Sequence, residues 1–266
     1  MRNTVTIFAA IGLIYIALNL IIALGAPYFA PHIPTQILGG AWEAPSFEHI
    51  LGLDNLGRDI FSRLIYGAAN SIGIALLVSL LSFAIGLYAG IFSGIKGGKM
   101  DLFLSRLFEL FLSMPTLIFV LMVLTVFGTS LSILVLTLGF IDSTRVFRLA
   151  RLLAQQTYAK DYIEAALLRG EGYIWLMRRE ILPNVLPALL AEFGLRFSFV
   201  FLLVAALSYL GLGIQPPEAD WGNMIRDNAP VILLGKWPAL YPAIAIALLA
   251  ASINVVVDWL TAIRSR

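Results

Sequence analysis

The chain has 266 residues, 60% of them hydrophobic and 13% charged, with a formal net charge of +2 and no cysteine. A soluble globular chain is about a quarter charged, so this composition excludes a soluble fold. The missing thiols exclude a disulfide framework or thiolate metal site, and the small net charge offers no basic field to nucleic acid.

The apolar residues fall in long runs, not in short strands or one-sided stripes. About 20 apolar residues at ~1.5 Å rise cross a hydrocarbon core of ~30 Å. Inside it every backbone N–H and C=O needs an internal partner, which makes the runs helical. The expectation is an all-α membrane protein with six spans: residues 5–29, 68–95, 107–127, 130–147, 185–212 and 237–260. Asp142, Arg145 and Arg148 invade the end of the fourth. The first run is too long for a signal-peptide core of ~7–15 residues and is read as an uncleaved span.

Lys and Arg set the orientation. With six spans, one side carries Arg2, Lys96, Lys99, Arg106, Arg148, Arg151, Lys160, Arg169, Arg178, Arg179, Arg264 and Arg266. The other carries Arg58, Arg63, Arg226 and Lys236. Twelve against four puts both termini in the cytoplasm. The domain order is then a first span (1–29), an extracytoplasmic segment with an interfacial helix (30–67), and a core (68–264) whose longest cytoplasmic loop is 148–184.

In the 54–67 segment, Asp54 with Arg58 and Asp59 with Arg63 read as i,i+4 pairs on an outer-surface helix, each worth only ~0.2–0.5 kcal/mol. Ile60, Phe61, Leu64 and Ile65 form its apolar face. The second span carries Ser82, Gly86, Gly90, Gly94 and Gly98 at four-residue spacing. Small residues in that register let helix backbones approach closely, and internal packing is the preferred use. Pro115 interrupts the third span. A charge at the bilayer centre costs roughly 2.5–3.5 kcal/mol, so it faces protein or water. Glu109, one turn before Ser113, and Glu192 with Arg196, four apart in the fifth span, are therefore candidates for the solute pathway or for an internal pair.

In the loop, residues 161–187 read as two short helices broken at Gly170, Glu171 and Gly172. Asp161 with Glu164 suggests a capping box. Ile163, Ala166 and Leu167 share one face, while Ala165 and Ala166 keep the helix thin. Tyr173, Ile174, Trp175, Leu176 and Met177 are a large apolar load just before Arg178 and Arg179, and Pro183 is expected to stop the helix. Charge and periodicity fit equally an amphipathic hairpin on lipid and a docking element for a cytoplasmic partner.

The string Glu164, Ala165, Ala166, then Gly170, then Leu182 and Pro183, resembles the coupling loop of ABC-importer permeases. Residues 49–67, Leu112 to Pro115, and Leu210 to Pro217 followed by Asp220 to Met224 are similar to the dipeptide/oligopeptide/nickel branch. The resemblance covers about residues 45–260 and points to the C-type subunit of a permease pair. The chain departs from that pattern at Glu109, where aspartate is usual, at Ile141 and Asp142, where Trp-Pro is usual, and across residues 168–172.

The resemblance implies a type I ABC-importer permease fold in a bacterial or archaeal inner membrane. It implies coupling to ATPases through Glu164, Ala165, Ala166, Gly170, Tyr173, Trp175, Arg178, Leu182 and Pro183. It also implies an extracytoplasmic vestibule near Asp54, Gly57, Arg58, Asp59, Gln215, Pro216 and Trp221. The implied partners are a second permease subunit, two ATPase subunits or domains, a solute-binding protein and the bilayer, with no nucleic acid. No cofactor is expected on this chain; ATP and magnesium belong to the partners. The nearest phosphate-loop string, Gly94 to Met100, lacks the first glycine and the terminal Ser or Thr, and no catalytic constellation is visible, so no enzyme activity is expected. Peptide is the expected cargo, with nickel or sugar oligomers as alternatives. The rival class, an ion-driven transporter or channel, calls for repeated broken helices, and no second half-repeat accompanies Pro115.

Overall fold

The computed structural model describes residues 2–264; Arg266, counted in the charge tally above, lies outside the described residues. They are almost wholly helical: α1 (Arg2–Leu24), α2 (Ala26–Phe29), α3 (Ile60–Lys96), α4 (Gly98–Leu112), α5 (Thr116–Phe127), α6 (Leu131–Tyr158), α7 (Asp161–Leu168), α8 (Tyr173–Trp175), α9 (Leu182–Tyr209), α10 (Trp221–Asn228) and α11 (Leu240–Arg264). A π turn, Leu176–Ile181, joins α8 to α9, and a 3₁₀ turn, Ala229–Leu234, follows α10.

Four stretches among the described residues are long and apolar enough to cross a membrane: Thr6–Leu24, Ile60–Lys96, Tyr173–Tyr209 and Leu240–Ile263. Helices α4 and α5 make a fifth if taken as one broken span, bent by 87° at residues 113–115. Helix α6, where the fourth span is expected, is not in that set, because Asp142, Arg145 and Arg148 fall within its apolar run.

Two compact units divide the chain: Met1–Leu76 with Thr129–Leu131 and Phe197–Arg266, and Leu77–Gly128 with Ser132–Arg196. In the first, α1 lies against α11 so closely that a Cβ at Gly12 would sit 3.1 Å from the Ser252 carbonyl oxygen. Trp221, fully buried, meets the Phe201 ring edge-on at 6.0 Å and donates its indole N–H to the Leu64 carbonyl at 2.9 Å. Asp220 caps α10 through the Asn223 N–H at 3.1 Å and accepts from Ser71 Oγ at 2.7 Å.

In the second unit, the small-residue stripe seats α3 on α6. A Cβ at Gly86 would lie 2.6 Å from the Ser143 carbonyl oxygen, and one at Gly90 2.6 Å from that of Phe147. The stripe thus packs internally, as its spacing suggests, except at Gly98, which opens α4 with nothing near it. Phe108 stacks on Phe147 at 4.1 Å, and Phe111 meets both Phe119 and Phe140 edge-on, filling the elbow between α4 and α5 with rings.

Candidate coupling and translocation sites

The 161–189 region is built on its own apolar core. Ile163 and Ala166 of α7, Leu176 and Ile181 of the π turn, and Val185 and Leu189 of α9 are buried together with Ile91, Ile95, Ala150 and Ala154. This anchorage leaves the opposite face bare. Glu164, Ala165 and Gly170 are exposed, as are Tyr173, Arg178 and Pro183, while Trp175 and Leu182 are half-buried. Leu168 is 84% exposed and Ile174 69%. An exposed apolar rim around a thin acidic helix calls for a covering surface.

Three local expectations are corrected here. The capping box does not form: Lys160 occupies the N-cap, Asp161 is already helical, and no side chain caps α7. Leu167 does not share the buried face of Ile163 and Ala166 but lies exposed. Pro183 does not stop the helix; Tyr173–Tyr209 runs on as one apolar rod. Proline lacks an N–H and its ring crowds the carbonyl four residues back. The preceding turn widens to accommodate this, and Leu182 N–H reaches Met177 O, five residues back. The helix break at residues 169–172 is as expected, with Gly170 in the left-handed region at φ +83°.

Near the fifth-span candidates, a charge cluster gathers within the second unit. Arg196 Nε donates to Glu192 at 2.7 Å, so the i,i+4 pair forms as read. It is one limb of a larger group. Asp142 accepts from Ser82 Oγ at 2.9 Å and faces Arg145 Nη1 at 3.4 Å and Arg196 Nη1 at 3.8 Å. Arg145 also reaches Thr116 Oγ1 at 3.4 Å. Glu109 stands apart, pairing at 3.2 Å with Arg106 on an exposed face of α4, and Ser113 donates to the Leu110 carbonyl at 2.7 Å. Sequence reasoning does not assign Asp142 and Ser82 a place here. The available signal is an acid three residues before a basic residue inside an apolar helix.

The expected vestibule residues sort by burial. The 54–67 segment is not one helix, since α3 begins at Ile60. Asp54 is the hub of a buried turn instead: it accepts from the backbone N–H of Leu56 at 2.9 Å and of Arg58 at 3.0 Å. It also pairs with Arg58 Nη2 at 2.7 Å and Arg63 Nε at 3.2 Å. Asp59 turns from Arg63 and caps α3 through the Ser62 N–H at 2.7 Å. These are buried ion pairs whose disruption strands a charge, not weak surface pairs. Gly57 is buried at φ +75° in the same turn. Trp221 is core, whereas Gln215 and Pro216 are exposed. Beside the turn, Trp42, Glu43, Lys236, Trp237 and Tyr241 line an open cavity of about 290 Å³, and Lys236 Nζ donates to the Trp42 carbonyl at 2.7 Å.

Residues 86–266 match the family described as binding-protein-dependent transport system inner membrane component. The chain is 32% identical over 259 residues to the dipeptide transport system permease protein DppC of Haemophilus influenzae, covering 95% of this chain and 88% of that one. It is 34% identical over 259 residues to the protein of that name from Escherichia coli K12, covering 95% and 86%, and 33% identical over 257 residues to that of Bacillus subtilis, covering 95% and 79%. These relatives are named as permeases, in keeping with a membrane component that is not itself an enzyme.

Proposed function

The chain belongs to the family of inner membrane components of binding-protein-dependent transport systems, and from that premise we propose that it forms one half of a peptide translocation path. The cargo reading follows the relatives, which are named for dipeptide transport. A second, homologous permease supplies the other half, a solute-binding protein delivers from outside, and two ATPase subunits bind ATP and magnesium in the cytoplasm. Six spans serve this arrangement: α1, α3, the broken α4–α5 pair, α6, α9 and α11. An even count returns both termini to the basic, cytoplasmic side.

The observation that carries this reading is the face presented by α7 and α8. Ile163 and Ala166 fix the element to its core, while Leu168, Tyr173 and Ile174 stand exposed around Glu164 and Ala165. A cleft in one of the two ATPases closes over this rim. ATP changes the cleft, so the two nucleotide states favour different positions of the loop, and that difference in affinity is the whole of the coupling free energy. The rod Tyr173–Tyr209 begins in the docked element and carries its displacement into the membrane. Pro183 and the widened turn before it mark where the docked part passes into the span.

Two substitutions on the exposed rim test the proposal. In Leu168→Glu and Ala165→Arg, the chain inserts and accumulates as before, the ATPases no longer co-purify, and uptake of a radiolabelled dipeptide falls to background. Unchanged co-purification together with unchanged uptake overturns the assignment of this face.

A further inference from the structure

Six polar side chains from four helices converge in the second unit: Ser82 of α3, Thr116 of α5, Asp142 and Arg145 of α6, and Glu192 and Arg196 of α9. Burial within the group is uneven. The Asp142 side chain is 2% exposed, whereas those of Arg145 and Arg196 are 29% and 22% exposed. The carboxylate therefore forms the floor, and the two guanidinium groups stay partly exposed above it. Lipid does not tolerate exposed charge on a span, so the exposed part of each guanidinium faces water or protein.

The distances from the arginines to the floor carboxylate are long. Both arginines share Asp142, at 3.4 and 3.8 Å. A closed charge-assisted bond is shorter, about 2.7–2.9 Å. The tight contacts lie elsewhere: Ser82 fixes the floor carboxylate at 2.9 Å, and Glu192 holds Arg196 at 2.7 Å. Two guanidinium forks brought together over one carboxylate suit the planar geometry of a second carboxylate lying across them.

We propose that Asp142, anchored by Ser82, positions Arg145 and Arg196 as a transient station for the terminal carboxylate of a passing peptide. Glu192 is the resident competitor. It yields Arg196 when the solute carboxylate arrives and reclaims it afterwards, which keeps the station weak enough to release its cargo. A translocation path needs that weakness, since a site that binds too well does not conduct. The inference deepens the permease reading and rests on it.

The absence of cysteine makes the test direct, because one introduced thiol is the only thiol in the chain. Thr116→Cys places it beside Arg145, and Ser113→Cys provides a second position should the first variant fail to assemble. The assembled importer, with its ATPases and binding protein, is reconstituted in liposomes, and dipeptide uptake is measured first. Two methanethiosulfonates of similar size are then compared, one bearing a sulfonate and one a trimethylammonium group. With rates normalised to a Leu233→Cys reference, the sulfonate reacts roughly tenfold faster, the lower end of what a focused field supplies. That preference disappears when Arg145→Gln and Arg196→Gln are added. A dipeptide with a free carboxylate slows the labelling, and its C-terminal amide does not. A thiol that stays unreactive in a transporting complex, or a preference that survives loss of both arginines, overturns the station. Loss of uptake and of ATPase association in the unmodified chain would instead count against the permease reading.

Discussion

Asp101, just after the start of α4, accepts from Arg151 at 2.5 Å (Nε) and 2.6 Å (Nη2), and from Ser93 Oγ at 2.5 Å. One carboxylate thereby fastens the ends of α3 and α4 to α6, beside the core that supports the coupling element. Asp101→Asn lowers the thermal midpoint in detergent at pH 7, by the equivalent of about 1 kcal/mol for a partly exposed pair. An unchanged midpoint would mean that the charge is irrelevant. Asp101 and Arg151 are 50 residues apart, and Ser82 and Asp142 are 60 apart. Nothing local to either sequence position announces such partnerships, which is why these hubs were not legible where Glu192 and Arg196, one turn apart, were.

The limits of local reading are of a different kind for whole elements. The first short helix and the break at Gly170 were legible, because a glycine at positive φ leaves its mark in the composition. The start of α3 was not. Asp54 and Arg58 have helical spacing, but Arg63 draws Asp54 into a buried turn and moves the helix start to Ile60. Pro183 was misread as a stop because a widened turn keeps the rod intact around it. The glycine stripe was legible as a close approach, although α6 as its partner was not. That packing sets an expectation for helix stability. Gly90→Leu pushes atoms into the Phe147 carbonyl and the Ala150 side chain, where a Cβ alone would already sit at 2.6 and 2.8 Å. The variant is destabilised by about 1–3 kcal/mol, the range for an overpacked core. Gly73 in the same helix has nothing within 4 Å of its missing Cβ. Gly73→Ala gains roughly 0.5–1 kcal/mol from helix propensity. Thermal unfolding in detergent separates the two, and equal shifts would remove the seating role of the stripe.

For the molecule as a whole, composition alone established a polytopic helical membrane protein, and the coupling string supplied the family. The number of crossings was less legible, because α6 has too many charges to pass as a simple span while still lying where one is needed. Sidedness resolves it experimentally. The proposed orientation, drawn from charge bias, has Leu168 on the cytoplasmic side and Leu233, 92% exposed after α10, on the other. In the cysteine-free chain, Leu168→Cys is expected to react with an impermeant maleimide only in inside-out vesicles, and Leu233→Cys only in right-side-out ones. Reaction of both from one side would rule out this orientation of the spans.

The 87° elbow between α4 and α5 carries a thermodynamic obligation of its own. A helix that ends leaves its last carbonyls, and one that begins leaves its first amides, without intrahelical partners. No side chain caps α5; Ser113 Oγ reaches the Leu110 carbonyl, and Phe119 N–H reaches Pro115 O at 3.1 Å. Hydrocarbon cannot solvate the Thr116, Leu117 and Ile118 amides that remain. Where the pair crosses the bilayer as proposed, the elbow is a wet notch. Its amides should take up deuterium within seconds, while those in the middle of α3 and α9 hold their protons for hours.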